Sequence, residues 1–115
     1  MTPRQEFLTF ESEGLALKGV LELPRVPYPI PGVVVCHPHS LYGGDMENNI
    51  VIGICNALLA CGIAVLRFNF RGVGGSQGSF SYGIGEVEDA VEAVSFLTLV
   101  EGVDAGRVGI SGFSF

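Results

Sequence analysis

Gly32-Val33-Val34-Val35-Cys36 is the stretch that decides the fold. The run is continuously apolar and β-branched, with no alternation. That pattern marks a strand buried on both faces, as in a parallel sheet. A second such run, Ile63-Ala64-Val65-Leu66-Arg67-Phe68, follows downstream, and a third strand covers residues 107–111. The intervening segments read as helices. One spans residues 49–61, with Asn49 suited to cap its start and Gly62 its end. The other runs from about Gly85 to Val100. Its apolar face is Ile84, Val87, Val91, Val94 and Leu97, at helical spacing. Glu86, Glu88, Asp89 and Glu92 are expected on the opposite side, the first two where the helix dipole favours acids. Upstream, residues 6–10 and 15–23 alternate around a Glu13-Gly14 turn and read as an antiparallel pair. Residues 24–31 are proline-rich and read as a surface loop, because proline cannot donate to a ladder.

The resulting order is β-β-β-α-β-α-β. It describes one α/β domain over residues 1–115, with right-handed crossovers between the parallel strands. No repeat and no linker interrupts it. Nearly half the residues (48%) are apolar, enough for a packed core. The formal charge of −6 argues against nucleic acid and against an anionic membrane surface, both of which need basic patches. It suits a protein acting on a small-molecule substrate. The longest apolar stretch, residues 50–66, contains Asn56 and two glycines and runs into Arg67, so it is not read as a membrane span. Cys36, Cys55 and Cys61 form no paired framework. They read as reduced, buried apolar residues of a cytoplasmic protein, and no signal peptide is apparent at the N-terminus.

In an open α/β sheet, ligands bind beyond the carboxyl ends of the strands. Three loops start there, at His37, Asn69 and Gly112, and they hold most of the unusual residues. Gly112-Phe113-Ser114-Phe115 matches the first four positions of G-x-S-x-G. In that motif a serine sits on a sharp turn between strand and helix, with small neighbours two residues either side. Ser111 competes, but it has Phe113 two residues on and lies inside the strand, so Ser114 is preferred.

Three segments together resemble a known family. They are Val34-Val35-Cys36-His37-Pro38-His39-Ser40-Leu41-Tyr42-Gly43-Gly44-Asp45-Met46, Arg67-Phe68-Asn69-Phe70-Arg71-Gly72-Val73-Gly74-Gly75-Ser76-Gln77-Gly78, and Gly83-Ile84-Gly85-Glu86-Val87-Glu88-Asp89-Ala90. They resemble the active-site loops and following helix of small bacterial α/β-hydrolases, whose wider relatives include dienelactone hydrolase-like esterases and peptidases. Ser40 departs from the group, which often has a second proline there.

The resemblance implies a truncated α/β-hydrolase fold: antiparallel N-terminal strands, then parallel strands with crossover helices, ending at the nucleophile elbow. It implies a serine hydrolase acting on a small ester through an acyl-enzyme, without cofactor. Ser114 is then the nucleophile. One oxyanion donor is the backbone N–H of Phe115. The other comes from the loop after the third strand, from His39 or Ser40, with His39 favoured because Pro38 has no N–H. His37, Ser40, Asn69 and Arg71 shape the pocket, Asn69 and Arg71 by side-chain hydrogen bonds. The catalytic acid and histidine belong downstream of Phe115 in the family order, so His37 and His39 are not the base, and these 115 residues alone are expected to have little activity. Alternatives are a non-catalytic ligand-binding domain, or an acyltransferase or peptidase on the same scaffold.

Three other readings are weaker. A His37–Asp89–Ser114 order belongs to an all-β fold. A metal site from Cys36, His37, His39 and Asp45 is disfavoured because adjacent strand residues point apart. Gly72, Gly74, Gly75 and Gly78 lack the lysine of a phosphate loop and do not open directly into a helix.

Overall fold

A computed structural model of the protein describes residues 3–112. Five strands form one sheet: β1 (Arg4–Ser12), β2 (Leu15–Leu23), β3 (Ile30–Cys36), β4 (Ala64–Phe68) and β5 (Val103–Gly112), in the spatial order β1-β2-β4-β3-β5. β1, β2 and β4 pair antiparallel in succession, whereas β3 runs parallel to both β4 and β5. Two helices link the parallel strands, α1 (Asn49–Ala60) and α2 (Ile84–Thr98), and a single 3-10 turn covers Ser40–Tyr42.

The local chemistry explains the elements. Glu13 and Gly14 both have positive φ (49° and 79°), the backbone a tight two-residue hairpin requires. The proline-rich connector is shorter than its composition suggests. Ile30 and Pro31 already belong to β3, and the pairing with β5 shifts register between Ile30 and Gly32, where Pro31 has no N–H to offer. α1 is capped by Asn48 rather than Asn49: the Asn48 Oδ1 accepts from the N–H groups of Ile50 (2.8 Å) and Val51 (3.3 Å). Gly62, at φ 79°, follows its last turn.

Alternate residues of the central strands face opposite layers. Val34 and Leu66 pack with Phe10, Leu21, Phe68 and Leu97 under α2. Val35 and Val65 pack with Val51, Cys55 and Leu59 of α1. All five residues of β4 are buried, as in a strand covered on both faces, Arg67 among them.

α2 departs from the expected amphipathic pattern. Leu97 and Ala93 are buried, but so are Glu86 and Asp89. Ile84, Val87 and Val91 are instead 81%, 62% and 49% exposed. The helix is rotated by specific polar contacts: Asp89 is paired with Arg71, and Glu86 accepts two loop N–H groups. Beside the exposed valines lies Ile110 of β5, the strand at one end of the sheet. The cysteines differ too: Cys55 is buried and Cys36 half-buried, but Cys61 is exposed. Among the described residues no helix is long and apolar enough to cross a membrane.

Candidate active site

Loops leave the carboxyl ends of β3 and β4 at the edge of the sheet where β5 also ends. The first, residues 37–48, starts at a histidine whose two ring nitrogens are both engaged. His37 is buried. Its Nδ1 lies 2.6 Å from the Pro38 carbonyl oxygen, and its Nε2 accepts the Phe70 N–H at 3.1 Å. A carbonyl can only accept and an amide N–H only donate, so the imidazole is the neutral Nδ1–H tautomer. Burial pushes the His37 pKa down from 6.5, against the opposing pull of the Pro38 carbonyl and Asp45. His37 thereby ties the first loop to the second.

The rest of the first loop folds around His39. Its carbonyl accepts the N–H groups of Tyr42 and Gly44, both at 3.1 Å, and its Nδ1 accepts from Leu41 at 3.2 Å. The close fold leaves no room at Gly44, where a Cβ would collide with the Pro38 carbonyl. The His39 ring also makes tilted contacts with Tyr42 of its own loop (4.8 Å) and Phe80 of the second loop (5.1 Å). The Ser40 Oγ is buried and has no hydrogen-bond partner among the described residues.

The second loop, residues 69–83, is held by side chains at both ends. At its start, Arg71 lies against Asp89 of α2. The Asp89 carboxylate accepts from Arg71 N (3.0 Å), Nε (3.1 Å) and Nη2 (2.8 Å), and Nη2 also reaches Glu13 Oε1 at 2.8 Å. These carboxylates raise the Arg71 pKa, the hydrogen bond it donates to Asp89 most strongly. Gly85 is required beside this pair, because a Cβ there would land on the Arg71 guanidinium. At the loop's end, Glu86 accepts from Ser81 N (2.9 Å) and Gly83 N (3.0 Å), closing the start of α2.

A cleft of about 320 Å³ opens between these loops and β5. Cys36 at the end of β3 and His37 at the start of the first loop line it, with Ile110 and Ser111 from β5 and Glu86 and Val87 from α2. Phe70 meets the His37 ring edge-on at 4.9 Å. The lining is mainly apolar. Its one carboxylate, Glu86, already accepts backbone N–H groups through both oxygens. Cys36 is a poor nucleophile there, since burial pushes its thiol up to about 12. Gly112, the last described residue, lies on the rim, so the cleft sits beside the position from which the chain enters residues 113–115. Ser114 and Phe115 themselves lie outside the described residues.

The X-Pro dipeptidyl-peptidase (S15 family) model matches residues 9–115. The chain belongs to this family. The S15 assignment agrees with solved structures. An alpha-beta serine hydrolase homologue from Coxiella burnetii is 33% identical with a TM-score of 0.84, over 99% of this chain and 53% of that one. A lidless serine hydrolase from Xanthomonas campestris is 35% identical with a TM-score of 0.83, over 96% of this chain and 51% of that one. A Rickettsia prowazekii protein described as uncharacterized is 48% identical over 85 residues, which are 74% of this chain and 35% of that protein. The chain therefore spans about a third of that relative and about half of the solved structures it matches. The chain has the α/β-hydrolase fold of these structures over about half of their length.

The expected pocket residues separate into two groups. His37 lines the cleft, whereas Asn69 and Arg71 stand behind it and fasten the loops. Ser40 is in the 3-10 turn of the first loop. Sequence reasoning assigns Arg67 no role and sets Glu86 and Asp89 on the outer face of α2, whereas all three bond the active-site loops. Arg67 did carry a signal, because a charge inside an otherwise apolar, fully buried strand has to find partners. Glu86 carried one as well: it stands three residues after Gly83, the spacing of a capping box. Among the described residues no group of three His, Cys, Asp or Glu side chains could hold a metal ion.

Proposed function

We propose that the protein carrying this chain is a serine hydrolase that cleaves a small, uncharged acyl ester, with Ser114 as nucleophile. The supporting observation is the apolar cleft at the carboxyl ends of β3 and β5, opening beside the segment that leads to Ser114. The Ser114 hydroxyl attacks the acyl carbon. The carbonyl π electrons move onto oxygen, and the resulting oxyanion takes hydrogen bonds from the backbone N–H groups of His39 and Phe115. Collapse expels the alcohol and leaves an acyl-serine, which water then hydrolyses. The acid and histidine that manage the protons belong, in the family order, to sequence beyond Phe115. Commitment of the Leu41, Tyr42 and Gly44 amides to His39 supports taking the first-loop donor from His39, with Ser40 as the alternative.

The test uses the full-length protein. Ser114→Ala should abolish p-nitrophenyl acetate hydrolysis and labelling by a fluorophosphonate probe, with a loss of roughly 10⁴-fold or more in kcat. Undiminished labelling of the variant would refute the assignment. The family match supports a second reading, a peptidase. An Xaa-Pro p-nitroanilide cleaved far faster than the ester would favour it. Probe-inert wild-type protein would favour a ligand-binding domain, and transfer of the acyl group to an added alcohol an acyltransferase.

A further inference from the structure

Met46, near the end of the first loop, has both sides of its backbone captured. Its N–H donates to Asn69 Oδ1 at 2.9 Å, and its carbonyl accepts from Arg67 Nε at 3.1 Å. Arg67 lies on the face of β4 that Val65 presents to α1, and Asn69, just past the strand's end, is two residues on; both meet the backbone of Met46. Arg67 is itself held by Glu22 at 3.0 Å and Glu47 at 3.4 Å. With the His37–Phe70 contact at the other end, residues 37–46 are fastened to residues 67–70 at both termini.

Asn69 is held just as closely. Its backbone N–H donates to the Lys18 carbonyl at 2.9 Å. Its carbonyl accepts from the buried Ser76 hydroxyl at 2.7 Å, and that hydroxyl accepts the Lys18 N–H at 2.9 Å. Gly74, at φ 55°, lies against the side-chain amide: a Cβ there would come within 2.6 Å of Asn69 Nδ2. The glycine-rich turn that could pass for a phosphate loop therefore makes a socket for one asparagine. The sequence suggests that Asn69 shapes the pocket by side-chain hydrogen bonds; its side-chain oxygen reaches across to the first loop.

The geometry points to Asn69 as a positioning residue for the first loop: seated by Gly74 and Ser76, it holds Met46 and so fixes the span that carries the oxyanion donor at His39. This rests on the serine-hydrolase reading above. Asn69 touches no reacting atom; it keeps a donor where the oxyanion forms, and a misplacement of about 1 Å at such a donor costs about 10²-fold in rate.

The test compares Asn69→Leu, Asn69→Asp and Gly74→Ala in the full-length protein. Asn69→Leu preserves volume and removes the acceptor. Its kcat for p-nitrophenyl acetate should fall about 10- to 100-fold with KM within about twofold. Asn69→Asp keeps the acceptor oxygen and should recover most of that loss, whereas Gly74→Ala, which displaces the amide, should reproduce it. Hydrogen exchange reads the clamp without any substrate: the Met46 amide should be protected in the wild type and exposed in Asn69→Leu. An active wild type whose Asn69→Leu variant keeps its kcat would overturn the clamp and leave the hydrolase reading standing. The clamp is overturned in the same way if Met46 exchanges freely in the wild type, or if Asn69→Asp is as impaired as Asn69→Leu. A wild type inert toward both ester and fluorophosphonate would remove the hydrolase reading and the role of Asn69 with it. Should Asn69→Leu fail to fold, Gly74→Ala carries the same comparison.

Discussion

Asp89→Asn is the perturbation whose size the structure constrains best. Asp89 is fully buried, and its carboxylate accepts from three donors of Arg71 at 2.8–3.1 Å. The asparagine keeps the shape and removes the charge. Charge-assisted hydrogen bonds contribute about 1.5–3 kcal/mol each, but three bonds within one ion pair are not independent. Breaking a buried pair costs about 3–5 kcal/mol, because the surviving charge is stranded. Here the guanidinium keeps Glu13, at 2.8 Å and half exposed, so the lower end applies, about 3 kcal/mol. Against a total stability of about 5–15 kcal/mol, that raises the unfolded population about 10²-fold. It should lower Tm by about 6–12 °C in a domain of about 150–250 residues. Circular-dichroism melts of the full-length protein measure this directly. Arg71→Met combined with Asp89→Leu removes both charges and should recover much of the loss, as apolar replacement of a buried pair often does. A Tm for Asp89→Asn within about 2 °C of wild type would refute the reasoning, as would a double variant no better than the single.

Two further outcomes follow from the same geometry. Because the folded state holds His37 neutral with its pKa below 6.5, the unfolded chain takes up the proton first; stability is complete above that pH and declines as pH falls through it toward the folded value. Urea midpoints should drop from about pH 7 to about pH 5, less steeply in His37→Asn, and equal slopes would discard the assignment. Two helical glycines should respond with opposite sign. Gly53→Ala meets nothing within 4 Å and should stabilise by up to about 1 kcal/mol, whereas Gly85→Ala strikes the Arg71 guanidinium and should destabilise by about 1–3 kcal/mol; denaturation curves separate the two.

The elements most legible in the sequence were those set by backbone chemistry. The β-branched run before Cys36 and the apolar run of residues 63–68 became the parallel pair β3 and β4, and Glu13-Gly14 became the hairpin turn. Periodicity placed α2 but misjudged its faces. Hydrophobic spacing scores Glu86 and Asp89 as outward residues, yet the partners that draw them inward, Arg71 and two loop amides, are distant in pattern and close only in space. Asn48 displaced Asn49 as the cap by a similar margin: either side chain can accept, and only the backbone at 48 has the non-helical angles a cap needs. At the site, the loops were recognisable because polar and glycine residues accumulate at one sheet edge. The traffic between them was not, since one asparagine oxygen bound to a backbone amide 23 residues away leaves no mark in composition or spacing.

The strand order has an implication for how such a site could diversify. β3 lies between β4 and β5, so the loop that follows it is flanked on both sides and answers to both neighbours. A change in that central loop has to satisfy His37, Met46 and the cleft at once, and few replacements can. The β4 loop is tied to β2 through Ser76 and Gln77 as well as at Asn69, Arg71 and Glu86, but beyond these ties it carries Tyr82 at 83% exposure. Random substitution should therefore be tolerated unevenly: the exposed Tyr82, next to Gly83 of the cleft lining, can vary at little cost to folding, while His37 and Gly44 of the central loop stay nearly invariant. New substrate preferences would be selected from the outer loop and inherited on an unchanged inner one.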